Sequence, residues 1–151
     1  MTKSQTILNI AQRVADEIPD MFRKKGPGEG NHFTNKYMSR LNNAVTAILG
    51  KSYVEQKICE PTGQCVDFYV PEEATIIEVE LSLYNVHTNL DRDIFKALLA
   101  KDAGHSVSTL LLVGKEPAKE RHTQPASRAL IDFVKRHHDL NVVIEDIRKP
   151  E

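Results

Sequence analysis

Hydrophobic positions near the N-terminus repeat with the spacing of a helix. Residues 5–18 carry apolar side chains three or four apart, and Pro19 cannot continue the helix. Residues 19–32 are rich in glycine and basic residues, so we expect a loop. A second helical pattern covers residues 34–49, and Gly50 suits its C-terminal cap. The first third of the chain therefore predicts two helices joined by a long loop.

The pattern then changes to short runs that are typical of strands. Residues 52–59, 65–70 and 75–81 are rich in apolar and β-branched side chains. Turn residues at 61–63 and 71–73 separate them, so we predict an antiparallel meander. The third run is the most apolar of the three, and we expect it in the centre of the sheet.

The C-terminal half alternates predicted helices and strands. A polar loop at 82–90 precedes a helix at 91–103, and residues 107–113 are apolar enough for a strand buried on both faces. A helix near 124–137 and a strand at 141–147 complete the chain. The predicted order is α-α-β-β-β-α-β-α-β, which indicates an α/β fold.

Composition and charge limit the function classes. The 151 residues suit a single domain, 1–151, and 40% hydrophobic with 27% charged residues is an ordinary globular balance. A net charge of −1 gives no support to binding of nucleic acid through a basic excess, although carboxylates gathered around a metal would mask a local basic surface. No apolar stretch reaches the roughly 18 residues of a membrane span, so we expect no membrane partner and a cytoplasmic location.

Carboxylates cluster on two of the predicted strands. Glu78 and Glu80 are two residues apart, so both point to the same face of their strand. Two such carboxylates repel each other and lose solvation unless a cation compensates. Pairing with the preceding strand brings Asp67 beside Glu78, which gives a typical Mg²⁺ or Mn²⁺ site. The alternative is a glutamate pair on a solvent-facing strand, which is common in ordinary sheets.

The order of these elements and acids resembles the PD-(D/E)XK nuclease superfamily. Residues 75–82 and 89–98 are similar to the BamHI- and BglII-type restriction endonucleases. Those enzymes carry glutamate-x-glutamate or glutamate-x-glutamine in a three-residue motif whose third residue is lysine in most of the superfamily. Those enzymes also carry aspartate-arginine-aspartate near the start of the next helix. The resemblance covers residues 50–114 well and the rest in outline. It implies a restriction-endonuclease-like three-layer α/β/α fold with a central mixed β-sheet.

The resemblance also implies a role for each matched acid. Asp67 and Glu78 would hold the catalytic metal, and Glu80, in the position of the usual lysine, would orient or deprotonate the attacking water. Many relatives carry a further metal-ligating glutamate upstream. The helix at 34–49 has no acid, so Glu55 on the first strand is the nearest substitute.

Positive charge near the phosphate is expected from the helix that follows. Arg92 and Lys96 are four residues apart and share one helix face, and Lys96 would partly replace the lysine missing from the strand. The alternative for Arg92 is a structural ion pair with a nearby acid. Asn85, His87 and Asn89 are candidates for substrate contact or, alternatively, solvated loop residues.

The expected function is a metal-dependent DNA endonuclease that hydrolyses phosphodiester bonds, acting as a homodimer so that both strands are cut. The basic loop at 23–28 is a further candidate for contact with the DNA backbone, or else a solvated linker. Two alternatives stay open: a nuclease specific for DNA structure, and a non-catalytic or partner-dependent member of the same fold. In the latter case a partner protein would supply DNA recognition.

Overall fold

The computed structural model describes residues 1–23, 29–82 and 86–150, and it contains one five-stranded mixed sheet with helices on both faces. The elements in chain order are α1 (Lys3–Asp16), α2 (Glu29–Leu49), β1 (Val54–Cys59), β2 (Gln64–Val70), β3 (Thr75–Glu80), α3 (Val86–Asp102), β4 (Thr109–Lys115), α4 (Ala118–Arg121), α5 (Pro125–His138) and β5 (Asn141–Ile147). Short 3₁₀ turns lie at Pro19–Phe22, Lys51–Tyr53 and Pro71–Glu73.

The strands follow one another across the sheet in chain order, from β1 to β5. The first three pair antiparallel, as the meander prediction requires, while β3, β4 and β5 run parallel. Parallel neighbours need a crossover connection, and the helices α3 and α5 supply it. The predicted α/β class with a mixed sheet is confirmed.

Both faces of the sheet carry a hydrophobic core, which explains why the strand at β4 lacks alternation. Leu111 and Val113 pack in the core with α1 and α2, whereas Leu110 and Leu112 pack with α3 and α5. A strand covered on both sides has no polar face to display. The sheet is therefore the middle of three layers.

Several predicted boundaries were wrong. The helix α2 begins at Glu29 and not at 34, because residues 30–32 are exposed and show no apolar pattern. The helix α3 begins at Val86 and not at 91, since Leu90 is buried in the same core as Ile94, one turn later. Residues 51–53 form a 3₁₀ turn before β1, and the short helix α4 was not predicted.

Within the ranges that the structure covers, none of the helices has both the length and the apolar character that crossing a bilayer demands.

Candidate functional site

The strand β3 presents Glu78 and Glu80 to the layer formed by α3. Glu78 is only 2% exposed, although its neighbours on the strand face a different core. Glu80 lies at the end of the strand, and its side chain is 23% exposed. The alternation of the strand thus brings both acids to one face, as the sequence predicted, but that face is covered by a helix rather than by solvent.

At Asp67, carboxylates replace part of the hydrogen-bond ladder between β2 and β3. The regular pairing runs as far as Phe68 opposite Ile77, and the next step places Asp67 opposite Glu78. There the backbone N–H of Asp67 donates to Glu78 Oε1 at 2.7 Å, and the N–H of Val79 donates to Asp67 Oδ2 at 2.8 Å. These two bonds satisfy backbone donors and fix both acids on adjacent strands.

The helix α3 supplies two cations to the same acids. Lys96 Nζ donates to Glu78 Oε2 at 2.6 Å, and both side chains are largely buried. Arg92 Nη2 donates to Glu80 Oε1 at 2.6 Å, with 49% of the arginine side chain exposed. Arg92 therefore makes the structural ion pair considered as its alternative role, while part of the same side chain stays open to solvent.

Asp93 completes the cluster, although no site role was predicted for it from the sequence. Its side chain is fully buried, and neither carboxylate oxygen has a hydrogen-bond partner among the described residues. One oxygen each from Asp93, Glu78 and Glu80 lie within 4.8 Å of one another. The available signal was helical spacing, because Asp93 lies three residues after Leu90 and four before Ala97, both of which are buried on the inner face of α3.

The electrostatics of this acid cluster (Asp67, Glu78, Glu80 and Asp93) are unbalanced. Burial, reinforced by the carboxylates of Glu78 and Glu80, raises the pKa of Asp93 to about 10. Burial and the carboxylate of Glu78 raise the pKa of Asp67 to about 7. Although burial opposes the charged form of Lys96, the carboxyl groups of Glu78, Asp93 and Asp67 together outweigh it and raise the lysine pKa.

The residues present fit a divalent cation. Four carboxyl groups face the two cations on α3, so ionisation of all four would leave an excess of two negative charges, and without a further cation Asp93 keeps its proton at neutral pH. Buried carboxylate oxygens without a partner are costly, and hard cations such as Mg²⁺ and Mn²⁺ prefer oxygen ligands. The oxygens of Asp93, which accept no hydrogen bond among the described residues, therefore have the chemistry that such an ion requires.

Other predicted site residues lie elsewhere. Glu55 is exposed at the start of β1, where its Oε1 accepts from Asn42 Nδ2 at 3.1 Å. Asn42 belongs to α2, so Glu55 lies towards the opposite layer from the acid cluster. His87 and Asn89 lie in the first turn of α3 and not in a loop. Asn85 and residues 24–28 of the basic loop lie outside the described residues.

No protein-family model, curated protein or solved structure matches this chain. Its function is therefore inferred from the chemistry of the acid cluster.

Proposed function

We propose that this chain is a divalent-metal-dependent nuclease that hydrolyses phosphodiester bonds in DNA, with Mg²⁺ or Mn²⁺ as the metal. The observation that carries the proposal is the fully buried carboxyl group of Asp93, which makes no hydrogen bond among the described residues and lies beside Glu78 and Glu80. Although Arg92 Nε lies 3.6 Å from Asp93 Oδ1, ionising this buried carboxyl group costs roughly several kcal/mol, so a cation that binds the ionised form is favoured. The metal set is Glu78, Glu80 and Asp93, with Asp67 adjacent on β2.

The cluster keeps capacity for a cation even where its oxygens already accept hydrogen bonds. Each carboxylate oxygen offers about two lone pairs, so Glu78 can contact an ion while it still accepts from Lys96. A bound Mg²⁺ or Mn²⁺ would polarise the phosphate and lower the pKa of a coordinated water. Glu80, the more exposed glutamate of the pair, is placed to accept the proton of that water.

Lys96 and Arg92 supply positive charge where negative charge develops on the phosphate. An ammonium has three N–H donors, so Lys96 retains donors beyond the one that it gives to Glu78. The half-exposed guanidinium of Arg92 is open to a ligand at the edge of the sheet. Both are anchored by carboxylates before substrate arrives, which lowers the reorganisation needed in the transition state.

The restriction-endonuclease-like assignment is supported by the order of β1, β2, β3, α3 and β4. The first acid, Asp67, lies on the second strand and the pair Glu78 and Glu80 on the third, as the resemblance requires. Two copies related by a two-fold axis would offer one acid cluster to each strand of a duplex. For a chain of this size, a partner protein would supply the recognition of DNA.

Cleavage of supercoiled plasmid and of a branched DNA, with Mg²⁺, Mn²⁺ or EDTA, tests the proposal. The wild type and the control Asp132→Asn, an exposed acid on α5, are expected to cut only with metal. Glu78→Gln and Asp93→Asn are expected to lose cleavage while remaining folded. Metal-dependent cleavage that survives in both variants would place the chemistry elsewhere.

One observation favours the non-catalytic alternative. Lys96 and Arg92 already neutralise Glu78 and Glu80 without any metal, which is also how a purely structural cluster is balanced. A protein that binds DNA, shows no stabilisation by Mg²⁺ or Mn²⁺ and cuts none of the substrates would support that alternative. Cleavage only after addition of a second protein would support a partner-dependent enzyme.

A further inference from the structure

A small pocket adjoins the acid cluster, between the start of α3, the end of β4 and α4. Its walls include Glu80, Asn89, Gly114, Arg121 and His122. The enclosed space is ≈ 30 Å³, room for about two water molecules. It therefore suits small polar groups such as the oxygens of an oxyanion.

Arg121 brings an unneutralised charge to this pocket. Its guanidinium donates to two main-chain carbonyls, from Nη2 to Lys115 O at 2.7 Å and from Nε to Pro117 O at 3.4 Å. It forms no salt bridge with any carboxylate in the described part of the chain. A guanidinium has five N–H donors, so three remain for a ligand. The side chain is thus fixed in place but keeps its charge for another group.

Two histidines converge beside Arg121 on one buried hydroxyl. The Ser127 Oγ lies 3.1 Å from Nδ1 of His122 and 3.3 Å from Nδ1 of His87. A serine hydroxyl donates one hydrogen bond and also accepts, so it can satisfy both rings at once. The Nε2 atom of each ring has no hydrogen-bond partner within residues 1–23, 29–82 and 86–150. Burial lowers the pKa of His122, and the nearby His87 and Arg121 lower it further.

Gly114 allows this basic group to approach the acid cluster. A Cβ atom at this position would lie 2.9 Å from the Cβ of Ala118 and 3.1 Å from the backbone oxygen of Glu80. The absence of a side chain therefore lets α4 pack directly on the ends of β3 and β4. This contact holds Arg121 and His122 in the same pocket as Glu80.

We propose that this basic pocket (Arg121 and His122, with His87 and Ser127 behind them) binds a phosphate group of the substrate next to the one that is hydrolysed. The inference rests on the proposed nuclease function, because the wall shared with Glu80 places the two phosphates side by side. The guanidinium of Arg121 makes no ion pair among the described residues, and a phosphate oxyanion would supply that partner through charge-assisted hydrogen bonds. Phosphate contacts of this kind position a nucleic acid without reading its sequence.

Binding of phosphate to the 151-residue chain tests the proposal directly. We would follow the imidazole NMR signals of His122 and His87, and of His87 alone in His122→Ala, during titration with inorganic phosphate, without metal and at constant ionic strength set with chloride. Saturating shifts are expected for the wild type and for Glu78→Gln, which leaves the basic pocket intact. Arg121→Gln and His122→Ala are expected to bind phosphate about tenfold more weakly or worse, from the loss of charge-assisted hydrogen bonds. The exposed Arg128→Gln on α5 is the matched control.

Two short oligonucleotides, with and without a 5′-phosphate, separate the sources of the phosphate group. Tighter binding of the phosphorylated form, lost in Arg121→Gln, would assign the pocket to a strand end. Equal binding of both forms, weakened in Arg121→Gln, would assign it to an internal phosphodiester.

Failure of the pocket and failure of the nuclease proposal give different results. Phosphate binding without cleavage in any metal would keep the pocket and overturn the nuclease. Cleavage without a phosphate response at His122 would overturn the pocket alone. Thermal unfolding of each variant identifies any variant that has lost its fold. Equal binding of phosphate by the wild type and by the folded Arg121 and His122 variants would also overturn the pocket.

Discussion

Replacing Asp93 by asparagine is expected to stabilise the metal-free protein at neutral pH. The carboxylate is fully buried beside Glu78 and Glu80, and burial raises its pKa from 3.8 to about 10. Between these values the folded state holds a proton that the unfolded state has released. The free energy of unfolding of the wild type therefore falls as the pH rises through this window. Asparagine has the shape of the protonated acid and never has to take up a proton.

The size of the change in the free energy of unfolding follows from the pH range between the two pKa values of Asp93. Each pH unit between the unfolded and the folded pKa corresponds to ~1.4 kcal/mol. From 3.8, the ordinary pKa of Asp93, to pH 7 the stability of the wild type would fall by up to ~4 kcal/mol. That is a large part of the roughly 5–15 kcal/mol that holds a typical domain folded. The raised pKa of Asp67 acts in the same direction up to about pH 7, but it does so in both proteins.

The assay is urea unfolding followed by circular dichroism from pH 4 to pH 8, with EDTA and then with Mg²⁺. In EDTA, the curves of the wild type and Asp93→Asn are expected to coincide near pH 4 and to separate as the pH rises. Mg²⁺ is expected to raise the stability of the wild type at pH 7 and to affect the variant less. Asp132→Asn, with an exposed acid, controls for the change in net charge. Parallel curves for Asp93→Asn and the wild type in EDTA would refute the idea that Asp93 retains a proton.

Three further substitutions test the packing around the site and in the opposite layer of the fold. Lys96→Met should cost about 3 kcal/mol in metal-free urea unfolding, because it leaves the buried Glu78 unpaired, and a loss below about 1 kcal/mol would class the pair with surface salt bridges. Gly114→Ala should cost about 1–3 kcal/mol in thermal unfolding, since the new Cβ would lie 2.9 Å from that of Ala118, and an unchanged melting temperature would mean that α4 moves aside freely. Tyr37→Phe should cost about 1 kcal/mol by the same method, because the buried hydroxyl donates to a backbone carbonyl of α1 at 2.8 Å, and no loss would contradict that bond.

Sequence patterns predicted the features of this molecule that depend on local geometry. Strand alternation places Glu78 and Glu80 on one face whatever the surroundings, and a short turn between neighbouring strands brings Asp67 opposite Glu78. The apolar run at β4 likewise predicts burial on both faces. These inferences need only the period of a strand and the length of a turn.

The remaining features depend on tertiary packing. Asp93 is a polar residue on the inner face of a helix, and only the position of α3 over β3 shows that it meets the two glutamates. Glu55 adjoins the same sheet but has a left-handed backbone with φ 51° and faces a different layer. No repeating pattern of apolar and polar residues in the sequence predicts either contact. The early start of α3 was hidden for a related reason, because its first turn is mostly polar.

The exchange of backbone for side-chain acceptors between β2 and β3 makes two amide groups natural reporters of the site. The N–H groups of Asp67 and Val79 bond to carboxylates of the cluster, so their hydrogen exchange depends on the charge of those carboxylates. An ion or a proton that enters the cluster will change the hydrogen-exchange rates of both amides. No probe group therefore has to be attached to the protein. For the same reason, truncating Asp67 or Glu78 to alanine opens the sheet as well as the site. Asparagine and glutamine at these positions keep an acceptor for the amides, and they separate chemistry from folding.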